Sequence, residues 1–258
     1  MVIQEPLASE KHRGFGRRDH NVRTVDWTQL VLTGVWGGLM ALERRAFLQA
    51  MLSRPLVAAT VTGLIAEDVL SGLFVGLVFE LLHLGGASLG GAHADHDTLP
   101  AVAAAGLAGS VGHATGNAAT PAIWALSILV CAPFGRAGLL LENRLDRRAR
   151  KYFGRALTAA DAGNVRAAAR QNLRAMWPQF VFYGLICAAA EAAGPQLAAV
   201  THALPAALLR GLSWAYPAMG VAAAAVAVHG SHAPKRLRIA ALAGTCTAAA
   251  MYAAMVFG

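Results

Sequence analysis

The stretch that decides the fold is RPLVAATVTGLIAEDVLSGLFVGLVFELLHLGGASLGGAHADHD, residues 54–97. It is strongly apolar, yet Glu67, Asp68 and Glu80 sit inside the apolar run. It then breaks into a glycine loop (Gly85, Gly86, Gly90, Gly91) and ends in His93, Asp95, His96 and Asp97. Carboxylates and irregular backbone at membrane depth are costly, and they occur where they line a protein-walled or watery cavity. This stretch is therefore the candidate site and the rest of the chain its frame.

The whole chain supports a bilayer as the solvent. It has 258 residues, 56% of them hydrophobic and 14% charged, with a mean hydropathy of +0.48. A soluble domain carries roughly 25% charged residues. Residues 118–133 and 239–257 lack the polar face that a soluble helix shows at 3.6-residue spacing. The fold class is thus an all-α membrane protein: a polytopic helical bundle with short or re-entrant broken helices around a central site. The net charge of +8 is clustered, which fits cytoplasmic loops. No stacking aromatics interleave with the arginines, so nucleic acid is not an expected partner. Cys131, Cys187 and Cys246 lie in apolar segments without metal or disulfide spacing and read as small core residues.

The chain divides into a polar, basic tail (residues 1–26) and one transmembrane domain (27–258). The tail has no apolar core or cleavage site of a secretory leader. A first apolar segment, 27–42, ends at Glu43, Arg44 and Arg45. Arg54-Pro55 restarts the chain, proline suiting a first helical turn. Segments 57–66 and 69–79 are each about half of the ~20 residues a spanning helix needs. Two geometries fit: one long helix with its acids inward, or a pair of short helices turning at Glu67-Asp68. Gly72 and Gly76 offer a smooth packing face. Residues 99–112 are alanine- and glycine-rich, and 118–133 form a clearer span. Segment 136–174 is basic and amphipathic and reads as one or two helices lying at the cytoplasmic surface, an interfacial connector or a docking platform. Residues 180–190 form a short apolar segment. Residues 197–228 carry Arg210 and are interrupted by Pro205 and Pro217. A basic loop, 229–238, precedes a last span, 239–257. If the tail, 144–174 and 235–238 are all cytoplasmic, the N-terminus is inside.

Within the candidate site, Glu80 and His83 adjoin the Gly85–Gly86 backbone, and Ser88 is the loop's hydroxyl. These five residues form the candidate substrate-binding set, because glycine permits close backbone approach to a small ligand. For Glu80 the alternative is a structural carboxylate paired with Arg54. Asp68 reads first as a turn or cap residue. Arg54, Pro55 and Asp68 are the structural positions. His83, His93, Asp95, His96 and Asp97 have metal-ligand chemistry. They lack helical i, i+4 histidine spacing and sit at a segment end, so no metal and no cofactor are expected. Glu191 and Arg210 are inward-facing candidates, paired with each other or with a partner subunit.

Arg54-Pro55-Leu56, Gly63, Asp68, Gly72, Glu80, Gly85 and Gly90 resemble, without a gap, the membrane subunit IIC of the mannose/fructose/sorbose phosphotransferase system. Weaker resemblance spans roughly residues 30–230, through 136–174 to Leu204-Pro205 and Gly211-Leu212. The resemblance implies a sugar-translocating subunit in the bacterial inner (cytoplasmic) membrane, multi-pass and oligomeric. It implies pairing with a IID membrane subunit, a hexose substrate, and soluble IIA and IIB subunits that carry phosphate on their own histidines. The chain itself then performs no phosphoryl transfer. Ser53, Gly86 and Ser88 stand where histidine, tryptophan and asparagine are common in that family, and Asp95-His96 replaces Pro-Asp. The alternatives are a divergent, non-transporting regulatory or sensory IIC-like subunit and a metal or ion carrier using the His/Asp cluster.

Overall fold

The computed structural model describes residues 26–45, 50–84, 96–230 and 235–257. Among these, ten helices and no strand occur: α1 (Trp27–Glu43), α2 (Pro55–Ile65), α3 (Val69–Leu84), α4 (Thr98–Thr115), α5 (Pro121–Cys131), α6 (Pro133–Asp161), α7 (Val165–Ala192), α8 (Gly194–Ala203), α9 (Ala206–Gly230) and α10 (Lys235–Phe257). Three segments are long and apolar enough to cross a membrane: Pro121–Asp161, Val165–Ala203 and Ala206–His229. The outer faces of α1 to α3 present Val31, Leu32, Leu64, Leu70 and Leu73 to the surroundings, a surface that lipid can solvate.

The structure chooses between the two geometries at residues 54–84. α2 and α3 form a hairpin whose turn is Ala66–Asp68, with Glu67 in the left-handed region at φ 58°. The hairpin closes through glycine. A Cβ on Gly63 would lie 2.6 Å from the Asp68 carbonyl oxygen and 2.8 Å from Gly72 Cα, and one on Gly76 would lie 2.9 Å from Ala59 Cβ. Small residues bring the backbones together where lipid supplies no hydrophobic drive between helices.

α4 is the central pillar. Ala101, Ala103, Ala104, Ala105, Ala108 and Val111 are fully buried, and the helix packs against α1, α2, α3, α5, α6, α7 and α8. Its alanine-rich sequence, read as a short span, is what lets seven neighbours approach one axis.

α1 packs antiparallel to α7: Gly34 meets Gly184, Gly37 meets Cys187 and Gly38 meets Phe180. This corrects two expectations. The basic segment 136–174 is not a separate pair of helices lying at the surface. α5 runs through Ala132 into α6, and the 41 residues of Pro121–Asp161 extend roughly 60 Å, about twice the hydrocarbon thickness. The basic sequence is the far half of α6 and the near half of α7, joined at Ala162–Asn164, and forms an arm beyond the bundle. Secondly, because α1 and α7 are antiparallel, Asp26 and the arm lie at opposite ends of the bundle. Asp26, where the described residues begin, is therefore not on the side of 144–174, and the tail itself lies outside the described residues. Residues 235–238 are on that side, since α9 runs alongside α3 in the same direction. The Tyr216 hydroxyl donates to the Phe74 carbonyl, and Pro217, Gly220 and Val221 line one groove with Leu77, Val78 and Leu81.

Pro205 separates α8 from α9 as expected, but Pro217 sits inside α9 without ending it. Of the basic segment 229–238, residues 229–230 end α9 and 235–238 begin α10, and 231–234 lie outside the described residues.

Candidate functional site

The arm-side end of the hairpin holds Glu80. Its carboxylate accepts from Arg54 Nε at 3.1 Å and from the Leu56 amide at 3.3 Å. The second contact satisfies one of the orphan donors in the first turn of α2, where Pro55 occupies N1. One helical turn on, His83 Nδ1 lies 2.8 Å from the Phe79 carbonyl, so Nδ1 carries the proton and donates. The chain then enters residues 85–95. Gly85, Gly86, Ser88, Gly90, Gly91, His93 and Asp95 lie outside the described residues.

Both anchors of that segment are fixed. On the return side, the His96 amide donates to the Gly135 carbonyl, and His96 Nδ1 accepts from the Leu99 amide at 3.1 Å. The ring is buried and stacks on Tyr183 at 4.7 Å. Burial, with the Arg44 and Arg45 guanidinia nearby, holds this imidazole well below its usual pKa, and the ring is neutral. Asp97 caps α4 through the Thr98 amide at 2.9 Å and pairs with Arg44 at 3.2 Å, while the Thr98 hydroxyl donates to the Ser53 carbonyl at 2.6 Å. His83, His96 and Asp97 thus each take separate protein partners. Among the described residues no group of three His, Cys, Asp or Glu side chains stands close enough to hold a metal.

An ionic cluster ties this end together. Arg45 reaches Glu142 at 2.9 Å and both oxygens of Asp146 at 2.9 Å. Arg44 bridges Asp97 and, at 3.7 Å, Glu142. Glu43 accepts from the Leu52 and Ser53 amides. Glu142 is almost wholly buried, a placement that a carboxylate tolerates only when paired. The cluster joins α1, α6 and the start of α4, so the root of the arm and the return of the glycine segment are one rigid unit. Sequence reasoning took Glu43, Arg44 and Arg45 only as the end of a segment.

The opposite end of the hairpin holds Asp68. It caps α3 through Ser71 N, accepts from Ser71 Oγ at 2.6 Å, and accepts from the Ala119 amide at 3.1 Å. Ser71 Oγ in turn accepts from Trp124 Nε1 at 2.7 Å. Beside it opens a cleft of about 290 Å³ lined by Glu67, Asp68, His113 and Asn117 among others.

Glu191 lies near the end of α7, 2% exposed. Gly106 of α4 lies beneath it: a Cβ there would meet Glu191 Cβ at 3.4 Å and the methyls of Thr33 and Thr62 at 3.6 Å. Thr33 interacts with the carboxyl group, yet Thr33 Oγ1 and Glu191 Oε2 complete no hydrogen bond of good geometry. Arg210 is exposed on α9, and the two residues form no ion pair among the described residues.

A family model described as the PTS system sorbose-specific IIC component matches residues 27–229. The chain belongs to this family. It is therefore a membrane IIC component of the phosphotransferase system. Its fold agrees with solved structures. One, described as the structure of a membrane protein, matches with a TM-score of 0.65 at 20% identity over 87% of both chains. Another, a cryo-EM structure of the mannose transporter ManYZ with microcin E492, matches with a TM-score of 0.56 at 21% identity over 88% of both chains. No curated protein matches the chain. In this IIC component the α2–α3 hairpin carries carboxylates at both ends, Glu67 and Asp68 at the tip and Glu80 at the base.

Proposed function

We propose that this chain is the sugar-translocating IIC subunit of a phosphoenolpyruvate-dependent phosphotransferase system in a bacterial inner membrane. It works with a IID-like membrane subunit and with phosphorylated soluble IIA and IIB subunits, which perform the phosphoryl transfer. The observation that carries the reading is the family match over residues 27–229. The similarity in fold to a chain of the mannose transporter ManYZ supports a hexose-type substrate and a second membrane subunit.

The geometry is compatible with this role. Glu80 and His83 stand at the entrance of the 85–95 segment, whose two anchors are clamped to α2, α1 and α6. A carboxylate beside glycine-rich backbone offers acceptors to sugar hydroxyls. Gly85, Gly86 and Ser88 complete the proposed substrate-binding set. The arm, with exposed Arg147, Arg148, Arg150, Lys151 and Arg155, faces the cytoplasm by the positive-inside rule. Asp26 then lies on the outer side.

The test is uptake of labelled mannose, fructose and sorbose by cells that express this chain with a IID-like subunit and the soluble carriers. Accumulation of sugar phosphate that depends on this chain is the expected result. Normal assembly into the membrane with no uptake of any of the three favours the non-transporting, regulatory reading instead.

A further inference from the structure

The cleft at the tip of the hairpin holds none of the residues in the substrate-binding set just described. It lies where the α2–α3 turn meets the end of α4, and its lining includes Glu67, Asp68, His113, Gly116 and Asn117. It is at the end of the bundle opposite Leu84 and His96. From the chemistry on its walls, the geometry points to a binding site for a neutral, polyhydroxylated ligand.

The lining removes the other classes in turn. Among the described residues it contains no arginine or lysine. The C-terminal end of α4, capped by Gly116 at φ 69°, adds partial negative charge. An anion is therefore disfavoured. Asp68 already accepts from Ser71 N, Ser71 Oγ and Ala119 N. That leaves Glu67 as the one carboxylate able to turn fully to a ligand, fewer than the six to eight oxygens a calcium ion takes. What remains is one carboxylate, one imidazole and one side-chain amide, a mixed set of acceptors and donors that matches hydroxyl groups. The volume of about 290 Å³ is near the lower bound of small-molecule pockets and suits a single sugar ring.

The backbone agrees. Glu67 is held in the left-handed region, a conformation that costs a non-glycine residue about 1–3 kcal/mol and is retained mostly at ligand sites and switches. Asp68 N–H bonded to the Gly63 carbonyl at 2.8 Å, and Asp68 bonded to Ala119, lock the turn in place. Glu67 and Glu80 are 13 positions apart in sequence, roughly 20 Å along a helical path. One hairpin thus presents a polar group at each end of the bundle, and the cleft is the entry-side site for the sugar. This step rests on the transport reading.

The test uses membrane vesicles holding the full chain, with Ala118→Cys, an exposed lining position that offers the ligand no polar side chain, as a reporter. Cys246→Ser removes the exposed native thiol, while Cys131 and Cys187 are buried. The rate of labelling by a membrane-impermeant maleimide is measured with mannose, fructose, sorbose or mannitol, and separately with calcium chloride and sodium phosphate. At least one of the four polyols should slow labelling. Adding Glu67→Gln should raise the concentration for half-protection about tenfold, a change of about 1.4 kcal/mol. His113→Gln is the second variant should the first lower the folded yield. Protection by calcium or phosphate alone, protection indifferent to both variants, or no protection by any polyol overturns the assignment. Sugar uptake that requires Glu80 without protection at position 118 overturns the cleft and leaves the transport reading standing. Protection without uptake does the reverse.

Discussion

Replacing Glu80 by glutamine separates a structural carboxylate from a ligand-reading one. The amide oxygen can still accept from the Leu56 amide, so the first turn of α2 keeps its cap. What disappears is the charge opposite Arg54. The Arg54 side chain is 50% exposed and that of Glu80 14%, so water screens the pair. Its loss costs about 0.2–1 kcal/mol of stability. A charge-assisted hydrogen bond to a sugar hydroxyl is worth more: its loss, taken at about 1.4 kcal/mol, lowers affinity about tenfold. The assay is sugar binding and folded yield on the same detergent preparation, with Arg54→Gln in parallel. That control breaks the same ion pair but leaves the carboxylate. Glu80→Gln should bind about tenfold more weakly at near-normal yield, and Arg54→Gln should share only the small change in yield. Normal affinity in Glu80→Gln would remove Glu80 from the site. Equal losses of folded protein in both variants, with affinity per folded molecule intact, would make it purely structural.

Asp68→Ala leaves the Ser71 and Ala119 amides without their acceptor and should destabilise the protein by about 2–4 kcal/mol; thermal melting checks this, and Trp124 emission should shift as the Ser71 hydroxyl loses its anchor. Gly72→Ala pushes a methyl into the Ala59 carbonyl and to 2.9 Å from Gly63 Cα, at a cost of about 1–3 kcal/mol, whereas Gly211→Ala, with nothing within 4 Å, should melt like the parent. Glu191→Gln keeps shape in a site where no cation pairs with it among the described residues, so its melting temperature should match the parent; a large drop would show that the carboxylate is charged and paired. Purified protein given a phosphocarrier and sugar, without soluble IIA or IIB, should form no sugar phosphate, since the chain lacks a GxxxxGK phosphate loop; product in that mixture would refute the division of labour.

The sequence by itself determined the solvent and the elements. Low charge and long apolar runs specify a helical membrane protein. Arg54-Pro55, the acidic pair at 67–68 and the glycines at 63, 72 and 76 mark the hairpin, because proline, aspartate and glycine act through local backbone geometry. Asp68 as a cap and Glu80 with Arg54 were legible for the same reason: the partners lie on adjacent strokes of one hairpin. Tertiary structure alone decided the rest. The joining of Arg44 and Arg45 to Asp97, Glu142 and Asp146, and of Ser71 to Trp124, spans 53 to 101 positions in the longest cases, and no periodicity encodes such pairs. The end of the bundle at which Asp26 lies also escaped the sequence. Charge clustering puts every basic segment together, whereas the antiparallel packing of α1 on α7, fixed by glycine contacts, puts Asp26 at the end opposite the arm. Local chemistry is written residue by residue, but which ends of the helices meet depends on how small-residue faces fit one another across the whole bundle.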